Sequence, residues 1–421
     1  MRRKLKISDI LIPKKLLVGD EDIPPMSCTN NGIFPRELKF KKKLSKSLDK
    51  NKVANKGDFV FGLSRQILNF GMMEYNVGCF SGAYKVYKCK YSYEFSRFLE
   101  LYIRENHNYF YQCIEGGARE GQTISEDILF SLEILVPNDE EIKAIVHLDE
   151  VFKKKLTSNK KINQTLEKIS KKLFRSWFID FDPVKSKVEN VTSNFSKEIN
   201  NLFPDSFEDS KMDKIPKGWR IGKLSHLISY ISKGVSPKYT NDKNFPVINQ
   251  KCIRNGDINF ELIKFTEFKK NMQENFLNQF DVVVNSMGEG TLGRVSIFID
   301  FIKKVVVDGC ITVIRGKNKA ISLFLYQHLS QREDEIINLS KGSTGQTTLK
   351  KEDLGDLRLV IPEKRIIENF ANISQNLYLK KYQNNLEMER LNKIRNKLFK
   401  KLIFAELRIT KSEKFIDGVV I

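Results

Sequence analysis

The sequence predicts an α+β fold in which two α/β domains are separated by a pair of long antiparallel helices forming a coiled coil, with an internal pseudo-twofold repeat. Three observations lead there. The phrase "EGQTISEDILFSLEILVP" at 120–137 returns as "TGQTTLKKEDLGDLRLVIP" at 344–362. Each copy runs into a heptad-patterned segment, and those segments end alike, in "LEKISKKLFRSW" (166–177) and "LNKIRNKLFKKL" (391–402). Between the copies lies a polar stretch without periodicity. Self-similarity at a fixed offset marks a duplicated structural unit.

The first domain spans 1–137 and the first long helix 138–180. Ile145, Phe152, Asn159, Leu166 and Leu173 recur every seven residues, flanked by Leu148, Ile162 and Ile169, which is the seam of a coiled coil. The stretch 181–215, rich in Ser, Asn, Asp and Lys, reads as a linker. A second domain follows at 216–362, then a second helix at 363–405 and a tail at 406–421. Phe370, Leu377, Asn384, Leu391 and Leu398, flanked by Ile373 and Ile394, repeat the seam 225 residues on. Both helices begin beyond a proline in acid-containing turns and close in lysine-rich ones, as the helix dipole favours. Each carries an asparagine at mid-seam. A buried asparagine sets register at some cost in stability, so Asn159 and Asn384 are expected close together.

The chain has 72 Lys+Arg against 52 Asp+Glu, a formal charge of +20, and 41% hydrophobic residues. That describes a folded, basic protein whose field attracts polyanions, nucleic acid first among them. The apolar run near the N-terminus is broken by Asp9 and Pro13, and no later run approaches membrane-spanning length, so a cytoplasmic protein without a membrane partner is expected. The six cysteines and four histidines form no C-x-x-C or H-x-x-x-H pattern, so no metal site is expected.

Catalytic motifs are tested by their context. Gly288, Gly290 and Gly293 have G-x-G-x-x-G spacing, but a dinucleotide fingerprint needs a strand before and a helix after. Here "RVSIFID" after the glycines alternates like a strand, so the motif predicts a loop or hairpin. "DIPPMS" fails the Asn/Asp-Pro-Pro-aromatic pattern of DNA amino-methyltransferases, and no Walker loop is present. The acidic residues of "PDSFEDSK" (204–211) lie too close in sequence to flank a metal from separate strands and read as a solvated turn.

What remains is polyanion binding with base reading. Lysine and arginine neutralise phosphates, whereas arginine, asparagine and glutamine can bond base edges bidentately. In the first copy the candidates are Lys41, Lys42 and Lys43 in "KFKKKLSKSLDKNK", Arg65, and Arg119 with Gln122 at the first Gly-Gln-Thr phrase. In the second copy they are Lys233, Lys238 and Tyr239 in "SKGVSPKYTNDKNF", Asn249, Gln250, Lys251 and Arg254 in "NQKCIRNG", Arg294, and Lys341, Ser343 and Gln346 in "KGSTGQTT".

With the two "GQT" phrases leading to "LVP" and "VIP", the paired helix endings "KKLFRSWFIDFDPV" and "NKLFKKLI", and "IPKGWRIGKLSHLISYISKG" opening the second copy, the chain resembles the specificity subunit of type I restriction-modification systems. The resemblance implies two target recognition domains, each reading half of a split DNA site, and a helical pair that sets the unread spacer. It also implies two docked modification (methyltransferase) subunits and restriction subunits for translocation and cleavage. S-adenosylmethionine, ATP and Mg²⁺ then belong to those partners, and this chain binds no cofactor and catalyses nothing. One departure is that the first copy lacks the "PKGW" that precedes the second, which implies a shorter or differently packed opening strand. Two other readings stand beside this one. A standalone DNA-modifying enzyme would be active without partners, and a coiled-coil adaptor would show no salt-dependent DNA retention.

Overall fold

The computed structural model describes residues 2–29, 32–38, 48–64, 67–116, 122–192, 195–210, 213–242, 245–300, 304–340 and 348–407, apart from the side chains of Ser64, Gln122, Lys270 and Asn271. It is α+β, and two compact units divide the chain. One is Met1–Thr157 with Glu389–Ile421; the other is Ser158–Met388. The cut differs from the sequence boundaries because each long helix contributes residues to both cores.

The same framework recurs in each unit. In the first, an antiparallel sheet runs in the order Leu11–Pro13, Lys85–Cys89, Phe59–Ser64, Ile67–Met72. In the second the order is Ile228–Lys233, Ile311–Gly316, Val282–Asn285, Val295–Ile297. A helix capped by a side chain packs beside each sheet, Tyr93–Glu105 behind Ser92 and Lys319–Ser330 behind Asn318. Apolar residues at helical spacing bury Phe98 and Leu99 in one and Leu323 and Phe324 in the other. Outside this frame the units differ. The first adds a hairpin of Met26–Thr29 and Gly32–Pro35, and the second a four-stranded sheet built on Tyr239–Thr240, Lys264–Thr266, Phe245–Ile248 and Val306–Val307.

The opening strands correct one expectation. Arg3–Lys6 pairs along its full length with Glu133–Val136, as Arg220–Lys223 does with Arg358–Ile361. Absence of the "PKGW" phrase therefore does not shorten the first strand, because the ladder is closed by backbone groups that any sequence supplies.

The long helices are Asp139–Phe178 and Lys364–Ile403, forty residues each. The Asn138 side chain accepts the Glu141 amide and starts the first. They pair antiparallel. In the second unit Asn159 meets Glu387, Glu167 meets Lys381 and Ser170 meets Tyr378, so partners descend as residue numbers rise. In the first unit the start of one helix (Ile142, Ile145, Val146) shares a core with the end of the other (Phe399, Leu402, Ile403). Arg2 clasps that junction, donating to Glu141 and to the Leu402 and Ile403 carbonyls at 2.6 Å.

One seam expectation needs correction. Ile162, Ile169 and Ile394 are exposed at 40%, 47% and 54%. The true second row falls four residues, not three, beyond the first: Ile142, Asp149, Leu156, Asn163, Ser170 and Trp177, answered by Ile367, Ser374, Lys381, Met388, Arg395 and Leu402. Its polar members are satisfied across the helix pair and, in addition, by groups outside it. Buried Asp149 accepts from Arg395 and from Arg97 of the flanking helix, and the Gln327 amide of the other flanking helix donates to the Ser170 hydroxyl at 2.9 Å. Asn159 and Asn384 are both buried but do not bond each other. Asn384 donates to Asn163 at 2.9 Å and Asn159 to Glu387 at 2.7 Å, about one helical turn apart.

The linker at 181–215 is also corrected, since it is part of the second core. Asp182–Val188 and Lys197–Asn200 are helical, and Phe207–Glu208 pairs with Ile215–Pro216, so "PDSFEDSK" lies partly in a strand. Val184, Phe203, Ile215 and Trp219 are buried against the aromatic end of the first long helix, with Phe203 5.1 Å from Trp177 and Phe178 6.0 Å from Trp219. Its apolar residues are sparse and aperiodic, which hid a segment that folds by filling gaps between aromatic rings.

Candidate nucleic-acid interface

The glycine motif connects two antiparallel strands, Val282–Asn285 and Val295–Ile297, as a hairpin loop. All three glycines have positive φ: 107° at Gly288, 69° at Gly290 and 80° at Gly293. Their spacing therefore serves the backbone. Fully buried Asn285 holds the loop, its amide donating to the Gln250 and Thr291 carbonyls at 3.0 Å. At Gly293 an added Cβ would lie 2.6 Å from Ile337 and 3.1 Å from the Glu333 carbonyl, whereas at Gly290 it would meet nothing within 4 Å. Gly293→Ala is thus expected to cost about 1–3 kcal/mol, and Gly290→Ala distinctly less, in paired thermal melts.

The loop claims two residues expected to read bases. Arg294 donates to the Ile253 carbonyl at 3.1 Å and to the Gly290 carbonyl at 2.7 Å. The Gln250 side-chain oxygen is buried beside Gly288. Asn249 is likewise committed to the fold. It is buried, its amide donates to Leu262 and its oxygen accepts the Lys251 amide. A side chain with both ends engaged cannot also grip an adenine edge. Asn249 is therefore corrected to a structural role, because asparagine serves turns as readily as bases; Arg294 and Gln250 pack on the loop backbone. Lys251 and Arg254 are exposed beside them.

Other candidates are brought together on the second unit. Gly234 and Val235 donate to the Ile311 and Val307 carbonyls at 2.9 Å. The contact is tight enough that a Cβ on Gly234 would sit 2.3 Å from the Val307 and Asp308 carbonyls, so only glycine fits. To one side Lys233 joins Lys350 and Lys351 around a cleft of about 270 Å³. To the other, half-exposed Tyr239 donates its hydroxyl to Asp308 at 3.3 Å while the Lys264 ammonium lies 4.5 Å from its ring centre. Burial and the adjacent Asp308 carboxylate push the Tyr239 hydroxyl up to about 12, so it stays protonated and donating at neutral pH. Tyr239, Lys264 and Asn241 line an open depression of about 520 Å³. Exposed Lys238 pairs with Glu267 at 3.1 Å.

Lys264, Lys350 and Lys351 were not singled out from sequence. The last two could have been, since they directly follow the second Gly-Gln-Thr phrase; nothing in "LIKFTEF" marks Lys264. Lys41, Lys42, Lys43, Arg65, Arg119, Lys341, Ser343 and Gln346 lie outside the described residues. Gln122 is described only in its backbone, which pairs with Gly116 in a short hairpin. Among the described residues, no group of three or more His, Cys, Asp or Glu is placed to hold a metal ion, and no helix is long and apolar enough to cross a membrane.

Comparison with known proteins bears on this geometry. Residues 216–396 match the family described as the type I restriction modification DNA specificity domain. The MjaIX specificity subunit of Methanocaldococcus jannaschii is 28% identical over 309 residues, 70% of this chain and 65%, just under two thirds, of that protein. The HindI specificity subunit of Haemophilus influenzae is 24% identical over 354 residues, 74% of this chain and 76% of that one. The crystal structure of the S subunit from M. genitalium superposes with a TM-score of 0.55 at 16% identity, covering 96% of both chains, and so shares the fold. A duplicated α/β framework on paired long helices, with the second unit matching a specificity domain, makes this chain similar to type I restriction-modification specificity subunits.

Proposed function

We propose that this chain is the sequence-specific DNA-binding subunit of a type I restriction-modification complex. Each unit reads one half of a bipartite site, and the paired helices set the spacer and dock two modification subunits. The observation that carries the reading is the recurrence of one sheet order and one flanking helix in both units, each on its own share of the same two helices. Two related readers on one continuous support suit a target whose halves differ and whose middle is ignored. The chain contributes recognition and no chemistry of its own. Modification subunits bring S-adenosylmethionine, and restriction subunits bring ATP- and Mg²⁺-dependent translocation and cleavage. The complex works on DNA in the cytoplasm.

The basic cleft at Lys233, Lys350 and Lys351 fits a phosphate contact, and the depression at Tyr239, Lys264 and Asn241 fits the groove edge beside it. Mapping methylated adenines genome-wide, with and without this gene, tests the reading: a bipartite motif should vanish with the gene, and an unchanged methylome would refute it. Removing one heptad from each long helix shortens the support by about 10 Å, roughly three base pairs. The same mapping should then return both half-sites unchanged across an altered spacer.

A further inference from the structure

The two copies of the framework differ at one place where the difference leaves a hole. In the first unit Arg3 faces Val136 on the opening strand pair, and the residue before the Ser92 cap is Tyr91. The Tyr91 ring stacks on Phe95 at 4.4 Å with the Arg3 guanidinium 5.9 Å from its centre, closing the gap between that strand pair and the helix start. In the second unit Arg220 faces Ile361 and the helix is capped by Asn318, so Arg220, Lys317 and Ile321 stand where Arg3, Tyr91 and Phe95 stand in the first. Neither Lys317 nor Ile321 supplies a ring, and the His226 imidazole, whose Nδ1 accepts the Lys223 amide, lines the space without filling it. A cavity of about 410 Å³ remains, floored by Ala320, Ile321, Ile361 and Ile367, with Arg220 and Lys317 exposed at its mouth.

We propose that this cavity is a socket for an aromatic side chain, flanked by a carboxylate, presented by a protein partner. The first copy shows what the site accepts: a ring laid against an apolar floor and beneath a guanidinium. The volume exceeds the roughly 150 Å³ that encloses a benzene, leaving space for the backbone that carries the ring. Charge selects the neighbour. Lys364 and Glu368 pair at 3.6 Å and Glu363 accepts from Arg365 at 3.0 Å, so the excess at the mouth is positive, from Arg220 and Lys317. A guanidinium above a ring and an ammonium beside it favour an aromatic residue next to Asp or Glu.

The test uses the full chain with labelled isoleucine methyl groups, titrated with acetyl-Asp-Phe-Asp-amide, with acetyl-Asp-Ala-Asp-amide and with a short DNA duplex. The phenylalanine peptide should shift the Ile321 and Ile367 methyl signals saturably, with a Kd on the order of 1 mM or tighter. Lys317→Tyr combined with Ile321→Phe installs the first copy's filling at the same backbone positions, and should weaken that binding at least tenfold while other methyl signals stay in place. Equal shifts from both peptides, shifts driven by the duplex, or no response to the phenylalanine peptide at about 5 mM would each overturn the proposal. The peptide comparison needs no variant, so it decides even if the filled chain misfolds.

Discussion

Replacing Lys381 with alanine is expected to destabilise the second unit by about 3 kcal/mol, seen as a lowered urea midpoint at unchanged slope. Lys381 is 5% exposed on the second long helix and bridges Glu167 on the first at 3.1 Å and Asp257 of the recognition fold at 2.8 Å. Burial alone would lower the Lys381 ammonium, but the Asp257 and Glu167 carboxylates outweigh it and hold it above its ordinary value. Glu167 mirrors this: burial would raise it, yet Lys381 and Lys171 keep it below the usual range. Removing the lysine leaves a carboxylate in a site built for a pair, and that desolvation cost dominates. Lys381→Met together with Glu167→Gln should recover part of the loss, because half-exposed Asp257 can be hydrated. The pH dependence has two edges. The contribution of Glu167 is complete above the ordinary glutamate pKa of about 4.3 and fades as pH falls through its lowered folded value. That of Lys381 is complete below about 10.4 and fades as pH rises through its raised one. Between those limits Glu167 and Lys381 add no pH dependence, whereas Asp257, raised by burial, costs stability as pH climbs from about 3.9 through its folded value; a stability profile of wild type against the double variant will reveal the two edges.

Changing Lys233, Lys350 and Lys351 together to alanine should reduce the salt dependence of DNA binding by nearly three, about 0.9 for each phosphate no longer neutralised. Affinity should fall by a similar factor on cognate and non-cognate duplexes, since phosphate contacts carry no sequence information. Lys264→Ala together with Asn241→Ala should instead relax preference at one half-site and change the slope by no more than about one. Binding measured between 50 and 200 mM salt on both duplex types separates the outcomes. An unaltered slope in the triple variant would remove the cleft from the interface. All three lysines are at a surface, so folding should survive, and circular dichroism checks that.

Legibility in the sequence followed the range of the interaction. Duplication, both long helices and their first seam row are set by local periodicity and could be read directly. The second row could not: Asp149, Ser170 and Lys381 look misplaced in a coiled coil until Arg97, Gln327 and Asp257 arrive from elsewhere in the chain. Phe203 and Trp219 sit in a polar stretch whose core contacts are with Trp177 and Phe178. Among the candidate DNA-contacting residues, net charge and loop composition singled out Lys233 and Tyr239, which line a lysine-bearing cleft and an open depression. Side-chain chemistry alone could not distinguish Asn249 and Arg294, which fasten turns, from Lys351, which lines an open cleft.

The first core is closed by Phe399, Leu402 and Ile403, with Arg2 gripping the last two carbonyls. A ribosome emits Arg2 401 residues before Ile403. The first unit of the nascent polypeptide therefore waits, its apolar surface uncovered, until the second unit has been translated in between, which makes it a client for chaperones over that interval. A stop codon placed just before Phe399 should accordingly damage the unit whose synthesis started first.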